Sequence, residues 1–298
     1  MKLFSKIRTA GVALALSLVA MPLAMADAKT TAIDEVMAAQ EATNKQAYVQ
    51  YELKGTLFSP VGIGNLLLNG NVVDLKPTKK NQERVTRADA HGTAELVVLG
   101  SQKNFNTPVE AYAETRGSKL TEYMKTDKGW EQTTVPFTMP TEEEITKSMK
   151  EYRSTISSAE LLKEDSREKV YKVTGDWDKI LDLQDKDAKK SMNVNGVDVG
   201  ELLRQVKNVE YTMAVDKKTN RITVLSMDLT PLLQTVGAQL MDAAATQDKS
   251  LDPNQLQMMK AMLKGSSLNL NVLLRYEKGK DVVIPAEAKN AKVVVEKK

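Results

Sequence analysis

The chain has 298 residues, with 42 Lys and Arg against 39 Asp and Glu, 42 % hydrophobic and 5 % aromatic content, one His and no Cys. Without cysteine there is no disulfide framework, thiol nucleophile, iron–sulfur cluster, zinc ribbon or lipidated N-terminal cysteine. With one histidine, a Ser-His-Asp triad or multi-histidine metal site must pass through His91 or not exist.

Residues 1–26 read as a secretory leader. Lys2, Lys6 and Arg8 make a basic start, residues 10–20 an apolar run, and Ala24-Met25-Ala26 a small-residue cleavage site, predicting export with cleavage after Ala26. The apolar run is too short for a bilayer core, which takes about 20 residues. No later stretch is long and apolar enough to span, so residues 27–298 are expected as one soluble domain and a monomer, periplasmic or otherwise extracytoplasmic. Losing the leader removes the net +3, and a balanced, mixed charge pattern offers no basic field for nucleic acid.

Ile33, Val36, Met37 and Gln40 recur at helical spacing and predict a helix over residues 30–44. The period then changes to two: Val49, Tyr51, Leu53 and Leu57 alternate with polar residues, a strand with one dry face over 47–58. Further strands are expected at 61–75, 95–99, 109–115, 120–124 and 129–135. Thr141 and Glu144 form a capping box ahead of Ile145, Met149 and Tyr152, predicting a second helix. A strand follows at 169–174, a polar helix and loop over 176–195, and a helix at 199–206. Val209, Tyr211, Met213 and Val215 then alternate into a hairpin whose second strand is 222–229. Helices are expected at 230–246, with Pro231 at its first turn, and at 252–264, ending at Gly265. Leu268, Leu270, Val272, Leu274 and Tyr276 alternate as another strand. Residues 281–284 read as a last one, before a short helix or turn at 286–290.

Helices inserted among hairpin-linked strands, rather than alternating with them, predict an α+β fold. Its centre is a strongly curved antiparallel sheet whose dry face must be covered, and the helices within residues 230–264 are the expected lid.

Motifs for catalysis are weak. His91 lies in the polar stretch Arg87-Ala-Asp-Ala-His-Gly-Thr and reads as solvent-exposed. Ser166-Arg-Glu-Lys169 matches the Ser-x-x-Lys spacing but falls in a charged turn before a strand. No nucleophile with its base emerges, so no enzyme is expected; a hydrolase is the least favoured alternative. Asp182, Asp185 and Asp187, or Asn193, Asn195, Asp198 and Glu201, lack the spacing that wraps calcium, so neither metal nor cofactor is expected. Gly62, Gly64 and Gly70 do not form a dinucleotide loop and read as bulge or bend positions.

What remains is apolar. Met258, Met259 and Met262, with Met213 and Met227 nearby in the pattern, suggest an adaptable thioether-rich surface, and the low aromatic content suits aliphatic chains. The candidate cavity residues are Val49, Tyr51, Leu53, Leu57, Tyr211, Met213, Leu225, Met227, Leu240, Met258, Met259, Met262, Leu270, Val272 and Leu274.

Three stretches carry a family likeness: Leu120-Thr-Glu-Tyr-Met-Lys-Thr-Asp-Lys-Gly-Trp130-Glu, the hairpin Tyr211-Thr-Met-Ala-Val-Asp-Lys-Lys-Thr-Asn-Arg-Ile222, and Ile284-Pro-Ala-Glu-Ala-Lys-Asn-Ala291. On these the chain resembles the LolA-like lipoprotein-carrier superfamily, which includes LolB, RseB and LppX-type proteins, and more narrowly a group of Firmicute envelope proteins. The resemblance implies an unclosed barrel plugged by helices, with an apolar hollow that holds a lipid or lipoprotein acyl chain and makes no bond. Arg116 and Arg275 are the candidates for the arginine that ties barrel to lid in that family. The competing expectation is an RseB-like envelope sensor or scaffold that binds envelope proteins.

Overall fold

Thr31 opens α1 (Ala32–Asn44) through a capping box: its hydroxyl accepts from the Asp34 amide at 3.3 Å, and the Asp34 carboxylate accepts from the Thr31 amide at 3.0 Å. This satisfies donors that a helix start otherwise leaves open. The computed structural model describes residues 31–75, 84–100, 104–137, 142–183, 193–194, 197–247, 252–279 and 281–294. The leader, the Thr141 cap, and Asp185, Asp187 and Asn195 lie outside them.

The strands, in chain order, are β1 (Tyr48–Ser59), β2 (Gly62–Leu75), β3 (Val85–Val98), β4 (Asn104–Arg116), β5 (Lys119–Thr126), β6 (Gly129–Pro136), β7 (Ile156–Glu164), β8 (Glu168–Asp176), β9 (Asn193–Val194), β10 (Val197–Asp198), β11 (Asn208–Asp216), β12 (Arg221–Asp228), β13 (Ser267–Arg275) and β14 (Lys292–Val293). Apart from the small β9–β10 ribbon they form one twelve-stranded sheet, ordered β14-β6-β5-β4-β3-β2-β1-β13-β12-β11-β8-β7. Among the described residues only the β14–β6 pair is parallel. The ends β14 and β7 do not pair with each other among the described residues, so the sheet is open. The helices after α1 are α2 (Glu142–Thr155), α3 (Trp177–Asp182), α4 (Val199–Val206), α5 (Thr230–Gln247), α6 (Pro253–Lys264) and α7 (Ala286–Lys289). This is the α+β fold with a curved sheet that the order of strands and helices predicts, and it is unclosed, as the family resemblance implies.

Glycine marks where the sheet bends. A Cβ on Gly92 would sit 1.8 Å from the Leu67 carbonyl oxygen, and one on Gly70 would sit 2.0 Å from that of Asp89. Both residues face the same side as Leu68 and Tyr51. Backbone crowding on that side is what bending toward it produces.

The inner face is packed from one end by α1 and α2. Val36 and Met37 of α1 and Met149 of α2 are buried against Tyr171, Val173, Met213, Val215 and Ile222. Polar groups fix the docking. At the β11–β12 irregularity near Val215, the Ile222 amide donates to Thr43 Oγ1 on α1 at 2.9 Å, and the Tyr276 hydroxyl donates to the Ile222 carbonyl. Thr43→Val strands that buried amide and is expected to cost about 1–3 kcal/mol, read as a lower urea midpoint with an unchanged m-value.

Charges also hold α1. Glu35 accepts from the Tyr171 hydroxyl and pairs with Lys169 Nζ at 2.9 Å; those contacts, Tyr171's first, keep its carboxyl below the usual range against the cost of desolvation. Asp34 is lowered chiefly by the Thr31 hydrogen bonds and also by Arg153 of α2. Carboxyls depressed in the fold contribute stability above their unfolded pKa and lose it as pH falls. The Tm should therefore drop between about pH 5 and pH 3. An Asp34→Asn, Glu35→Gln variant should show a flatter acid limb in the same scan; an unchanged limb would remove these contacts from the account.

Three local expectations need correction. Residues 281–284 are not a strand: Val282 and Ile284 are buried because they plug the opposite, outer face of the sheet, against Val73, Tyr112 and Tyr123. β3 runs far beyond 95–99, through the stretch around His91. β7 was not anticipated at all.

Candidate functional site

Cross-strand register brings most of the predicted site together. Val49, Tyr51, Leu53 and Leu57 of β1, Leu270, Val272 and Leu274 of β13, Leu225 and Met227 of β12, and Tyr211 and Met213 of β11 share the inner face. They divide into two groups. Val49, Tyr51, Leu53, Met213, Val272 and Leu274 are fully buried in the core that α1 and α2 close. Leu57, Tyr211, Leu225, Met227 and Leu270 are only half-buried, as are Leu66 of β2 and Ala94 of β3 on the same face.

The second group belongs to interior strands, so their exposed area does not come from a sheet edge. Tyr211 and Tyr152 of α2 make the point most clearly. Their hydroxyls lie 3.0 Å apart. Burial pushes the Tyr211 phenol well above its usual range, with Tyr152 adding to the shift; burial also raises Tyr152, against the hydrogen bond from its neighbour. Yet both residues keep accessible surface. Tyr152 and Tyr211 thus pack at the margin of the buried core, where it gives way to the half-buried end of the inner face.

Helix α5 lies against β13 at that half-buried end. It is anchored to the sheet where the Leu268 amide donates to Thr230 Oγ1 at 3.1 Å and the Leu229 amide to the Leu268 carbonyl at 2.8 Å. Gln234 Nε2 also donates to the carbonyls of Lys264 and Ser266, at 3.0 and 3.1 Å. Although α5 carries Leu232, Leu233, Val236, Leu240 and Met241, none of its described residues is fully buried. Its apolar side chains are therefore covered only in part among the described residues.

The methionines of α6 are placed differently. α6 packs on α5, with buried Leu263 over Gly237. Met262 is half-buried, but Met258 and Met259 are 54 % and 40 % exposed. The structure thus does not gather them with the sheet residues.

A concavity of about 380 Å³ opens on the outer face, lined by Gln50, Glu52, Asn69, Asn71, His91, Leu273 and Arg275, with Tyr51 and Gly70 of the inner side at its floor. His91 stands in mid-strand, exposed, its Nε2 3.8 Å from Asp89 Oδ2 and its ring edge-on to Tyr112 at 5.4 Å between centroids. Its lining mixes charged and amide side chains with Tyr51 and Leu273. Arg275 lies here, and Arg116 pairs with Glu114. The other sequence candidates are accounted for by structural contacts: Lys169 pairs with Glu35, Asp182 with Arg204, and Asp198 caps α4. Among the described residues no three His, Asp or Glu side chains cluster as metal ligands, and no helix is long and apolar enough to cross a membrane.

No protein-family model and no curated protein matches the chain. Among solved structures it is similar to a DUF1329 family protein from Desulfovibrio piger, at 10 % identity and a TM-score of 0.25, over 84 % of this chain and 93 % of that one.

Proposed function

We propose that the protein is an exported, non-enzymatic carrier of the LolA-like kind, holding a lipid, a lipoprotein acyl chain or another apolar ligand between the curved sheet and α5. The observation that carries the reading is the half-buried apolar set at one end of the inner face, Tyr211, Met227, Leu270 and Leu66, with Tyr152 of α2 beside Tyr211. The leader supports an extracytoplasmic site of action. Each buried ligand methylene contributes about 0.8 kcal/mol, so a 16-carbon chain supplies on the order of 10 kcal/mol before ordering costs. Release then needs only a displacement of a loosely packed cover.

The test is titration with N-phenyl-1-naphthylamine, whose fluorescence rises in apolar surroundings. Saturable binding that palmitate or a monoacyl lipid displaces is expected; a flat titration would contradict the reading. The sensor alternative has one feature in its favour, the edge strand β7 with Leu161 and Leu162 exposed. Its two register irregularities and the flanking Glu160, Lys163 and Glu164 are, however, the usual devices that discourage edge pairing.

A further inference from the structure

The Tyr152–Tyr211 pair does more than line the hollow. Two hydroxyls carry two protons, and only one is used between them. Among the described residues no other acceptor lies within hydrogen-bond reach of either oxygen, so the pair holds one spare donor. Water can accept that proton in the ligand-free protein; an apolar chain that displaces the water and supplies no acceptor leaves the donor unpaired, which is costly. Tyr211 stands directly opposite Met227 on the inner face, and Met227 directly opposite Leu270, so the donor sits at the side of the apolar floor.

We propose that this hydroxyl pair is the polar receptor of the hollow, donating its spare proton to the carbonyl oxygen of an acyl ester or amide whose chain lies over Met227, Leu270 and Leu66. The proposal rests on the carrier reading and narrows it: the ligand is a neutral acyl derivative, not a hydrocarbon or a free carboxylate. Among the described residues the charges at the packed end of the inner face, Glu35 with Lys169 and Asp34 with Arg153, are spent on each other rather than held free for a carboxylate. Phenols raised by burial stay protonated at neutral pH and act as donors. An acyl ester can come from a lipoprotein or from a free glycerolipid; the two share this carbonyl.

The experiment uses the intact exported protein and two probes of matched length, methyl laurate and tridecane, each displacing N-phenyl-1-naphthylamine. The ester is expected to bind roughly two- to tenfold more tightly, the range of one neutral hydrogen bond. The carbonyl stretch of bound methyl laurate should move to lower wavenumber. Tyr152→Phe with Tyr211→Phe keeps both rings and should abolish the preference and the infrared shift, while tridecane, no longer stranding a hydroxyl, binds at least as tightly as to the wild type. Equal affinities in the wild type, an unshifted carbonyl, or a preference that survives the double variant would overturn the proposal and leave the carrier reading standing. Failure of both probes to bind the wild type would overturn the two together. The wild-type comparison and the infrared band need no variant, so they decide the matter even if the double variant folds poorly. Diacylglycerol and a triacylated lipopeptide, run as further displacers, separate the two sources of the ester.

Discussion

Gly92→Val is expected to destabilise the protein by at least about 3 kcal/mol, seen as a large fall in the urea midpoint or a failure to accumulate folded protein. Its Cβ would sit 1.8 Å from the Leu67 carbonyl oxygen, and that obstacle is backbone held in the β2–β3 pairing, not a side chain that can swing away. The bend that crowds this position also gives the sheet a concave side. Gly55→Ala is the control: its Cβ would make ordinary contacts with Leu66 and Leu270 at 3.5 and 3.9 Å, so stability should move by no more than about 0.5 kcal/mol. If Gly92→Val were as harmless as Gly55→Ala, the sheet would not bend there, and the space attributed to its curvature would need another origin.

Leu270→Asp should abolish binding of apolar ligands, by at least about a hundredfold, while the protein remains folded. Leu270 is half-buried on a central strand opposite Met227, so a carboxylate there can be hydrated from the hollow when empty but must be stripped of water by an acyl chain. Leu53→Asp changes the same kind of residue on the same face two ladder positions away, but Leu53 is 1 % exposed in the packed end. That variant should fail to fold. Circular dichroism and the naphthylamine titration on the two variants together separate a hollow from a core: two folded binders, or two unfolded chains, would show that the inner face is not divided as described.

Much of this frame is legible in the sequence where one face is dry and the other wet. β1, β11 and β13 announce themselves because Leu, Val, Met and Tyr alternate with Glu, Asn and Lys. β3 does not, because its inward positions are Ala88, Ala90 and Gly92, too small to register as a hydrophobic face, while Asp89 and His91 face out. Smallness there is imposed by the bend, which no window of sequence displays. β7 is hidden for the opposite reason: an edge strand with only Ile156 fully buried has no periodic face to read. Residues 281–284 mislead because alternation reports burial, and Val282 and Ile284 obtain theirs by covering the outer face without pairing.

The site is partly legible in the same way. Period two assigns Leu57, Tyr211, Leu225, Met227 and Leu270 to one face, but it cannot divide that face into a packed end and an open end. That division depends on where α1 and α2 dock, which is set by Thr43 reaching Ile222 and Glu35 reaching Tyr171 and Lys169, contacts far apart in the chain. The Tyr152–Tyr211 pair spans 59 residues and joins a helix to a strand, so no local pattern announces it.

The proposed carrier function requires a lined but unfilled space beneath α5. The measurement that reaches it most directly is mass spectrometry of an organic extract from the protein purified gently from its own cell envelope. A stoichiometric acyl lipid or lipopeptide, absent from the extract of the Leu270→Asp variant, is the predicted result. Wild-type protein that comes out empty, and takes up no acyl lipid when incubated with vesicles made from that same envelope, would contradict it.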